Sequence, residues 1–386
     1  MPDNTVNIER YGIRELLQKA ARLSAKNEAA AAEAFSRGER FNVFHVCKVD
    51  HYENLHSAIL AEWLNPQGSH GQGDFFLKLF LCRVDKDFAD IFGSEKATAY
   101  TEYSFDEGRL DILIVNDAKH AVILENKIYA ADQDSQLKRY EKFAKKEFGA
   151  GNFRIFYLTL DGSNASDNSG KGVAYTPISY CRTILGWMED CIRSVYDKPL
   201  IRESMIQYQS LVRELTGVTM DKKIENELIE EMKHSPDGVA AIVSAYPAWE
   251  RSVLEEHLFA PLKKFSEENG LQFGINETFW TKEKWGKFYF EVAPKLLIVF
   301  EYEHRGRNNF YYGITDLRDN RPEKRNLPGL SGGNDGWRYG WHYLDQHRNW
   351  TPEDVAQIAG DKGKFLGYIT DAVKNLLQMM EDNHIL

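Results

Sequence analysis

RLDILIVNDAKHAVILENKIYAADQDSQLKRY, residues 109–140, is the stretch whose reading decides the fold. Two apolar runs, 110–115 and 121–127, flank the polar segment 116–120, and a polar, glutamine-bearing segment follows. Runs of this length bounded by turn residues read as neighbouring strands of a hairpin, and the polar segment reads as a helix. Successive side chains alternate faces along a strand, so Glu125 and Lys127 share one face and Asn126 takes the other. Asp111 begins the preceding strand, where antiparallel pairing brings it close to Glu125. Two carboxylates plus a backbone carbonyl, such as that of residue 126, make a hard-oxygen site suited to Mg²⁺ or Mn²⁺. Such an ion polarises a phosphoryl oxygen and acidifies a bound water. Lys127 is placed to orient that water and to balance the charge of a pentacovalent state. The pattern therefore points to metal-dependent cleavage of a phosphodiester. The charges stand at the end of AVILENK, where a buried strand would continue with valine or isoleucine, so they either cap the strand in solvent or line a site.

Outward from this stretch, helices are expected over 6–37, 52–64 and 74–84, and a strand over 99–105. A helix over 132–148, a strand over 153–160, an exposed polar loop over 161–172, and helices over 180–196 and 202–216 follow. This order gives an α/β core, a mixed β-sheet flanked by helices. Residues 221–268 read as helical. Strands are expected at 271–277, 286–293, 296–302 and 309–315, with an amphipathic helix near 361–382, so the second half is an α+β C-terminal domain. The domain reading is 1–220 and 221–386, the latter serving substrate recognition, regulation or oligomerisation. It is rich in aromatics, including Trp280, Trp285, Trp337, Trp341 and Trp350. Residues 302–325 interleave arginines with aromatics, but their acids favour strand-and-loop packing over a nucleic-acid surface.

With 386 residues, 43% hydrophobic and 27% charged, the composition is that of an ordinary globular protein. No apolar run approaches the roughly 18–20 residues a membrane helix needs, and the N-terminus lacks a signal-peptide layout, so the expected location is the cytoplasm, with no membrane partner. The four cysteines are expected to be buried free thiols. A net charge of −10 argues against a general polyanion-binding surface, though a nuclease tolerates it, because an empty metal site is itself acidic. Neither a zinc-ligand pattern, a phosphate-loop spacing nor a nucleophile elbow is present.

The Asp–x13–Glu–x–Lys spacing between hydrophobic strands resembles the PD-(D/E)XK nuclease superfamily, and Gln136–Tyr140 resembles the QxxxY motif of its recombination-nuclease branch. Upstream, Glu53-Asn54-Leu55-His56-Ser57 through Asn65-Pro66 is similar to the opening of an uncharacterised bacterial subfamily. The resemblance covers about residues 50–216; its departures are modest, since Leu110 stands where a proline can precede the aspartate, and that proline is often absent. It implies a restriction-endonuclease-like core, Glu53, Asp111 and Glu125 as metal ligands, and Lys127 as the group that activates water. It further implies that Gln136 and Tyr140 contact substrate or water, with His56, Gln133 and Arg139 as weaker substrate contacts. The bland readings are a structural histidine for His56, helix-start stabilisation for Gln133, a solvated face for Arg139 and a dipole-favoured first-turn acid for Glu53. The implied activity is a Mg²⁺- or Mn²⁺-dependent deoxyribonuclease, with DNA ahead of RNA as substrate, in restriction, phage defence or repair. The alternative is a catalytically silent member that binds nucleic acid or protein. A third reading makes the second half a sensor, self-association surface or regulatory-partner site that holds the nuclease silent until triggered.

Overall fold

The computed structural model describes residues 11–386 except 48, 50, 51, 130, 131, 219, 320–322, 331, 335, 345, 346, 361 and 362. The chain divides into one unit of Leu23–Glu225 and another of Met1–Arg22 with Asn226–Leu386, the division falling within helix α1 (Ile13–Ser36).

In the first unit α2 (Val43–Val46), α3 (Glu53–Leu64), α4 (Phe75–Val84) and α5 (Lys86–Phe92) precede a five-stranded sheet. Its strands are β1 (Thr98–Phe105), β2 (Gly108–Val115), β3 (Ala121–Asn126), β4 (Phe153–Thr159) and β5 (Thr176–Ser179), lying side by side in that order. The β1–β2 and β2–β3 pairs are antiparallel, and the β3–β4 and β4–β5 pairs are parallel. The parallel link from β3 to β4 runs through α6 (Gln136–Phe148), and the link from β4 to β5 holds the short α7 (Asp167–Gly170). A wide π-type turn, Tyr180–Ile184, leads into α8 (Leu185–Ser194), followed by α9 (Pro199–Leu215).

Every residue of β3 is buried, as expected for a strand covered on both faces. On one face Ile112, Ile114, Val122, Leu124, Phe156 and Leu158 pack with Phe76 and Phe80 of α4, Trp187 of α8 and Tyr208 of α9. On the other face Leu113, Ile123, Ile155 and Tyr157 lie beneath Leu137, Tyr140 and Ala144 of α6. The helix expected from 132 begins only at Gln136, because Ser135 takes a left-handed backbone (φ 53°) and Asp132 is drawn away. The Asp132 carboxylate accepts the Tyr157 hydroxyl at 2.8 Å and the Ser166 N–H at 2.6 Å. That contact also corrects the expectation of a wholly exposed loop at 161–172: Ser169 and Gly170 are buried, Gly170 beside Tyr175 and Leu137.

The second unit contains α10 (Lys222–Lys233), most of which follows the division, then α11 (Pro236–Leu254), α12 (Ala260–Glu268) and α13 (Glu277–Thr281). Its sheet is antiparallel throughout, in the order β10-β9-β8-β7-β6. The strands are β6 (Gln272–Ile275), β7 (Gly286–Ala293), β8 (Leu296–His304), β9 (Asn308–Asp316) and β10 (Trp341–Tyr343), and α14 (Pro352–Gly360) and α15 (Lys364–Asp382) close the chain. Phe288, Phe290, Ile298, Phe300, Phe310 and Ile314 form the inner face, packed on Leu262 of α12 and Ile369, Val373 and Leu376 of α15. Arg307, within the 302–325 segment, is buried and paired with Glu250 at 3.0 Å.

All four cysteines are free, but only Cys191 is buried; Cys47 and Cys82 are exposed and Cys181 is half-buried. The expectation of four buried thiols therefore fails; at Cys82 the reason is that α4 turns Phe80 and Leu81 inward and leaves the thiol outward. Among the described residues no helix is long and apolar enough to cross a membrane.

Gly313 of β9 is fixed by close packing against the strand beside it. A Cβ there would lie 2.5 Å from the Gly340 carbonyl oxygen, 2.9 Å from Trp341 Cα and 3.1 Å from the Trp337 ring. Gly313→Ala is therefore expected to destabilise the protein by about 1–3 kcal/mol, read as a lower midpoint in denaturant unfolding.

Candidate active site

The β2–β3 register pairs Ile112 with Leu124, and one further step sets Asp111 opposite Glu125. Lys127 prolongs β3 by donating its N–H to Leu158 O at 2.8 Å. The period-two alternation then sends Glu125 and Lys127 to the α6 face, where Lys127 Nζ meets Glu125 Oε1 at 2.6 Å. Glu125 is fully buried, and α6 meets it with two polar side chains one turn apart. Gln136 Nε2 donates to Glu125 Oε1 at 2.6 Å, and the Tyr140 hydroxyl sits 2.8 Å from Glu125 Oε2. That hydroxyl also accepts from Gln136 Nε2 at 2.9 Å and lies 2.8 Å from Arg109 O.

Burial, and then the neighbouring Asp111, push the Glu125 pKa up to about 8 despite the opposing pull of Lys127. Asp111 is also raised, by burial first, while the Asn126 N–H (2.8 Å to Oδ2) and Lys127 oppose the shift. Burial disfavours the charge on Lys127, but Glu125, Asp111 and Glu53 outweigh it and hold its pKa above the usual lysine value. Burial and Glu125 raise the Tyr140 hydroxyl, which therefore remains a hydrogen-bond donor.

Glu53 arrives from the first turn of α3, with Oε1 accepting the N–H groups of Ile128 (2.7 Å) and Tyr129 (2.8 Å), just beyond β3. Asn126, on the opposite face of β3, fixes that approach. Its Nδ2 donates to Glu53 O at 3.1 Å and to Ser57 Oγ at 3.0 Å, and its Oδ1 accepts the Tyr180 hydroxyl at 2.8 Å. One residue thus ties the start of α3 to the end of β3, while its backbone N–H serves Asp111.

An open cleft of about 460 Å³ lies over these groups, bordered by Glu53, Glu102, Arg109, Asp111, Lys127, Gln133 and Gln136. A larger cavity of about 580 Å³ in the same unit, between Trp63 and Leu200, borders none of the buried acids and has a mainly apolar lining. Volume is therefore a poor guide here, and the convergence of charged groups marks the site. Arg109 is paired with Glu102 at 2.6 Å, which leaves Glu53, Asp111 and Glu125 facing one ammonium. This hard-oxygen, net-negative set fits a divalent cation by charge and donor type. Among the described residues no three acids or histidines converge tightly enough to form a ready ligand cluster. Glu125 would have to exchange a hydrogen bond to Lys127 or Gln136 before ligating.

Other residues singled out in the sequence occupy different positions. His56 is fully buried, with Nδ1 2.7 Å from the Tyr208 hydroxyl, so it packs the core and does not border the cleft. Arg139 also lies off the cleft: its guanidinium bonds Asp134 O and, at 2.9 Å, Gln133 Oε1, bracing the turn before α6. Gln133 borders the cleft from that turn, outside the helix in which it was expected. Tyr140 is buried and Gln136 nearly so, and both bond Glu125, so they position the carboxylate. Sequence reading missed Asn126, Tyr180 and Glu102. The last has φ 53° and falls outside the β1–β2 pairing, a local irregularity with no compositional signature.

A mixed sheet thus sets Asp111 of β2 beside Glu125 and Lys127 at the end of its central strand β3, an acid–acid–lysine set suited to phosphodiester hydrolysis. Residues 41–210 match the PD-(D/E)XK nuclease superfamily. The five-stranded mixed sheet flanked by helices agrees with the architecture expected from the sequence. Among solved structures, a repair endonuclease from Pyrococcus abyssi is 19% identical over 26% of this chain and 44% of its own, with a TM-score of 0.17. The chain thus spans less than half of that protein, and the likeness carries no argument. No curated protein matches significantly.

Two outcomes follow from this geometry. Because the folded-state pKa of Glu125 is raised to about 8, its contribution to metal-free stability is present below the ordinary glutamate range and lost as pH rises through about 8. Metal-free protein is expected to melt progressively lower over that window, and Glu125→Gln to flatten the slope. Asn126→Ala leaves the buried Tyr180 hydroxyl and Ser57 Oγ short of a partner and is expected to cost about 1–3 kcal/mol in denaturant unfolding.

Proposed function

We propose that the protein is a divalent-metal-dependent deoxyribonuclease, with Mg²⁺ or Mn²⁺ as the ion. The observation that carries this reading is the buried Glu125, bonded by Lys127, Gln136 and Tyr140, beside Asp111 in a cleft that Glu53 also borders. Glu53, Asp111 and Glu125 would hold the ion, which when bound supplies a polarised phosphoryl oxygen and an acidified water. Lys127 presents its ammonium at the cleft, where it orients the attacking oxygen and balances the negative charge that builds on the phosphoryl group. Gln136 and Tyr140 keep the Glu125 carboxylate in one orientation, so the site needs little rearrangement as charge develops. The intact acid–acid–lysine set favours an active enzyme over a silent binding module. A role in restriction, phage defence or repair in the cytoplasm accords with the superfamily, and the second unit would supply substrate choice, self-association or a regulatory contact.

Plasmid and linear DNA, beside RNA controls, are to be incubated with protein in Mn²⁺, Mg²⁺ or EDTA. Metal-dependent cleavage is expected with DNA and none in EDTA. Lys127→Ala and Glu125→Ala should each lose about a hundredfold or more in rate. Cleavage by either variant at the rate of the intact protein would sink the mechanism; metal-dependent shifts in melting without cleavage of any substrate would favour the binding reading.

A further inference from the structure

The outer face of the antiparallel sheet in the second unit carries aromatic rings where a solvated face normally carries polar residues. Trp341 and Tyr343 project together from β10, Tyr343 lies opposite Tyr311 of β9, and Tyr311 lies opposite Glu301 of β8. One step beyond the β7–β8 register sets Trp285 beside Glu303. The loop before β10 adds Trp337, whose ring is 5.2 Å from that of Tyr311 at 68°. Trp341 and Tyr343 stand 4.7 Å apart at 73°. Together Trp285, Glu303, Tyr311, Trp337, Trp341 and Tyr343 border a cleft of about 310 Å³, at the small end of the range for ligand sites.

Two features point to a ligand. Trp285 is 50% exposed and held at φ 66°, a backbone conformation that large side chains rarely adopt, so strain keeps an indole at the mouth of the cleft. The polar groups are complementary in kind: Glu303, whose Oε2 accepts Asn309 Nδ2 at 2.7 Å, is an acceptor, and Asn334 presents its amide NH₂ because its Oδ1 takes the N–H groups of Gly336 (2.9 Å) and Trp337 (3.0 Å).

We propose that this cleft binds a single unstacked nucleobase, its face against one ring and the steeply inclined neighbouring rings at its edges, with the Glu303 carboxylate accepting N–H donors on its edge. Guanine, which offers two adjacent N–H donors and a carbonyl acceptor, matches a carboxylate and an amide NH₂ best. An aromatic box with an acid also suits a quaternary ammonium ion. Here, however, the Arg348 guanidinium lies 3.4 Å from the centroid of Tyr343, a wall of the cleft. That guanidinium, which also donates to Asn309 Oδ1 at 2.7 Å, already uses the ring as its cation partner and leaves it better suited to a neutral base than to a second cation. The choice of a nucleic acid as the source of the base rests on the nuclease reading of the other unit; the stacking and edge chemistry do not.

The test titrates intact protein in EDTA with dGMP, dAMP, dCMP, TMP, choline and a short single-stranded oligonucleotide, following tryptophan fluorescence. Quenching is expected with the nucleotides and the oligonucleotide, tightest for dGMP among the monomers. Trp285→Ala and Glu303→Gln should each weaken dGMP binding about tenfold or more. If Trp285→Ala fails to fold, the near-isosteric Glu303→Gln carries the test, with melting curves as the control. Absence of nucleotide binding, equal binding by the variants, or binding of choline in preference to nucleotides overturns the proposal. Binding that depends on Trp285 in a protein that cuts nothing would leave the cleft standing and remove the nuclease reading alone. Cleavage without such binding would do the reverse.

Discussion

A carboxylate that reaches no solvent, Glu125, constrains the rest of the first unit. An isolated charge in that position would be prohibitively unfavourable, so the fold must either keep it protonated or surround it with donors. The structure does some of each. Lys127, Gln136 and Tyr140 bond both of its oxygens, while burial and Asp111 still hold its pKa near 8. Two of those donors come from α6, which is why that helix must dock on the sheet with Gln136 at its first turn. The left-handed Ser135 and the Asp132 contacts to Tyr157 and Ser166 fix where it can start. The loop before β5, which supplies Ser166, is in this sense part of the same arrangement.

The opposite face of β3 shows the same economy. Alternation that sends Glu125 and Lys127 toward α6 sends Asn126 toward α3, where it meets Ser57, Glu53 O and Tyr180. The acid delivered by α3 is therefore positioned by a residue flanked on both sides by the acid–lysine pair, with no flexible loop in between. Backbone as well as side chain takes part, since the Asn126 N–H holds Asp111 and the N–H groups of Ile128 and Tyr129 hold Glu53. Three backbone N–H groups at and just beyond the end of β3 thus hold two carboxylates, one from each neighbouring element.

Period-two alternation is a local property, and so the common face of Glu125 and Lys127, and the opposition of Asp111, were legible in the chain before any coordinates. Helix periodicity gave less, because it says which residues share a face but not which face looks into the cleft. His56 and Arg139 show the gap: each sits on a helix beside a site residue, yet one is sealed against Tyr208 and the other braces the turn before α6. The start of α6 was misjudged for a related reason, since Asp132 is claimed by partners 25 and 34 residues away. Long-range capture of this kind overrides helix propensity and leaves no local pattern. Asn126 was assigned to the right face, but its role needed Ser57 and Tyr180, which only the fold brings near. In the second half the tryptophans were visible as composition alone, and only the β8–β9–β10 register turns them into the walls of one cleft.

The raised carboxylates also bear on why such a site is built from charge at all. Burying Glu125 and Asp111 together works against folding, and replacing the set by apolar side chains would relieve that opposition. A core selected only for stability would not keep three acids facing one lysine. The arrangement makes sense when the native state gains a cation that the unfolded chain binds poorly, because the electrostatic penalty then becomes binding free energy. Protons and such a cation would compete for the same oxygens, so the raised pKa of Glu125 would weaken cation binding as pH falls. Gln136 and Tyr140 add the complementary constraint: by holding both carboxylate oxygens they keep Glu125 in place, so that ligating an ion would exchange a hydrogen bond and leave the strand and helix where they are.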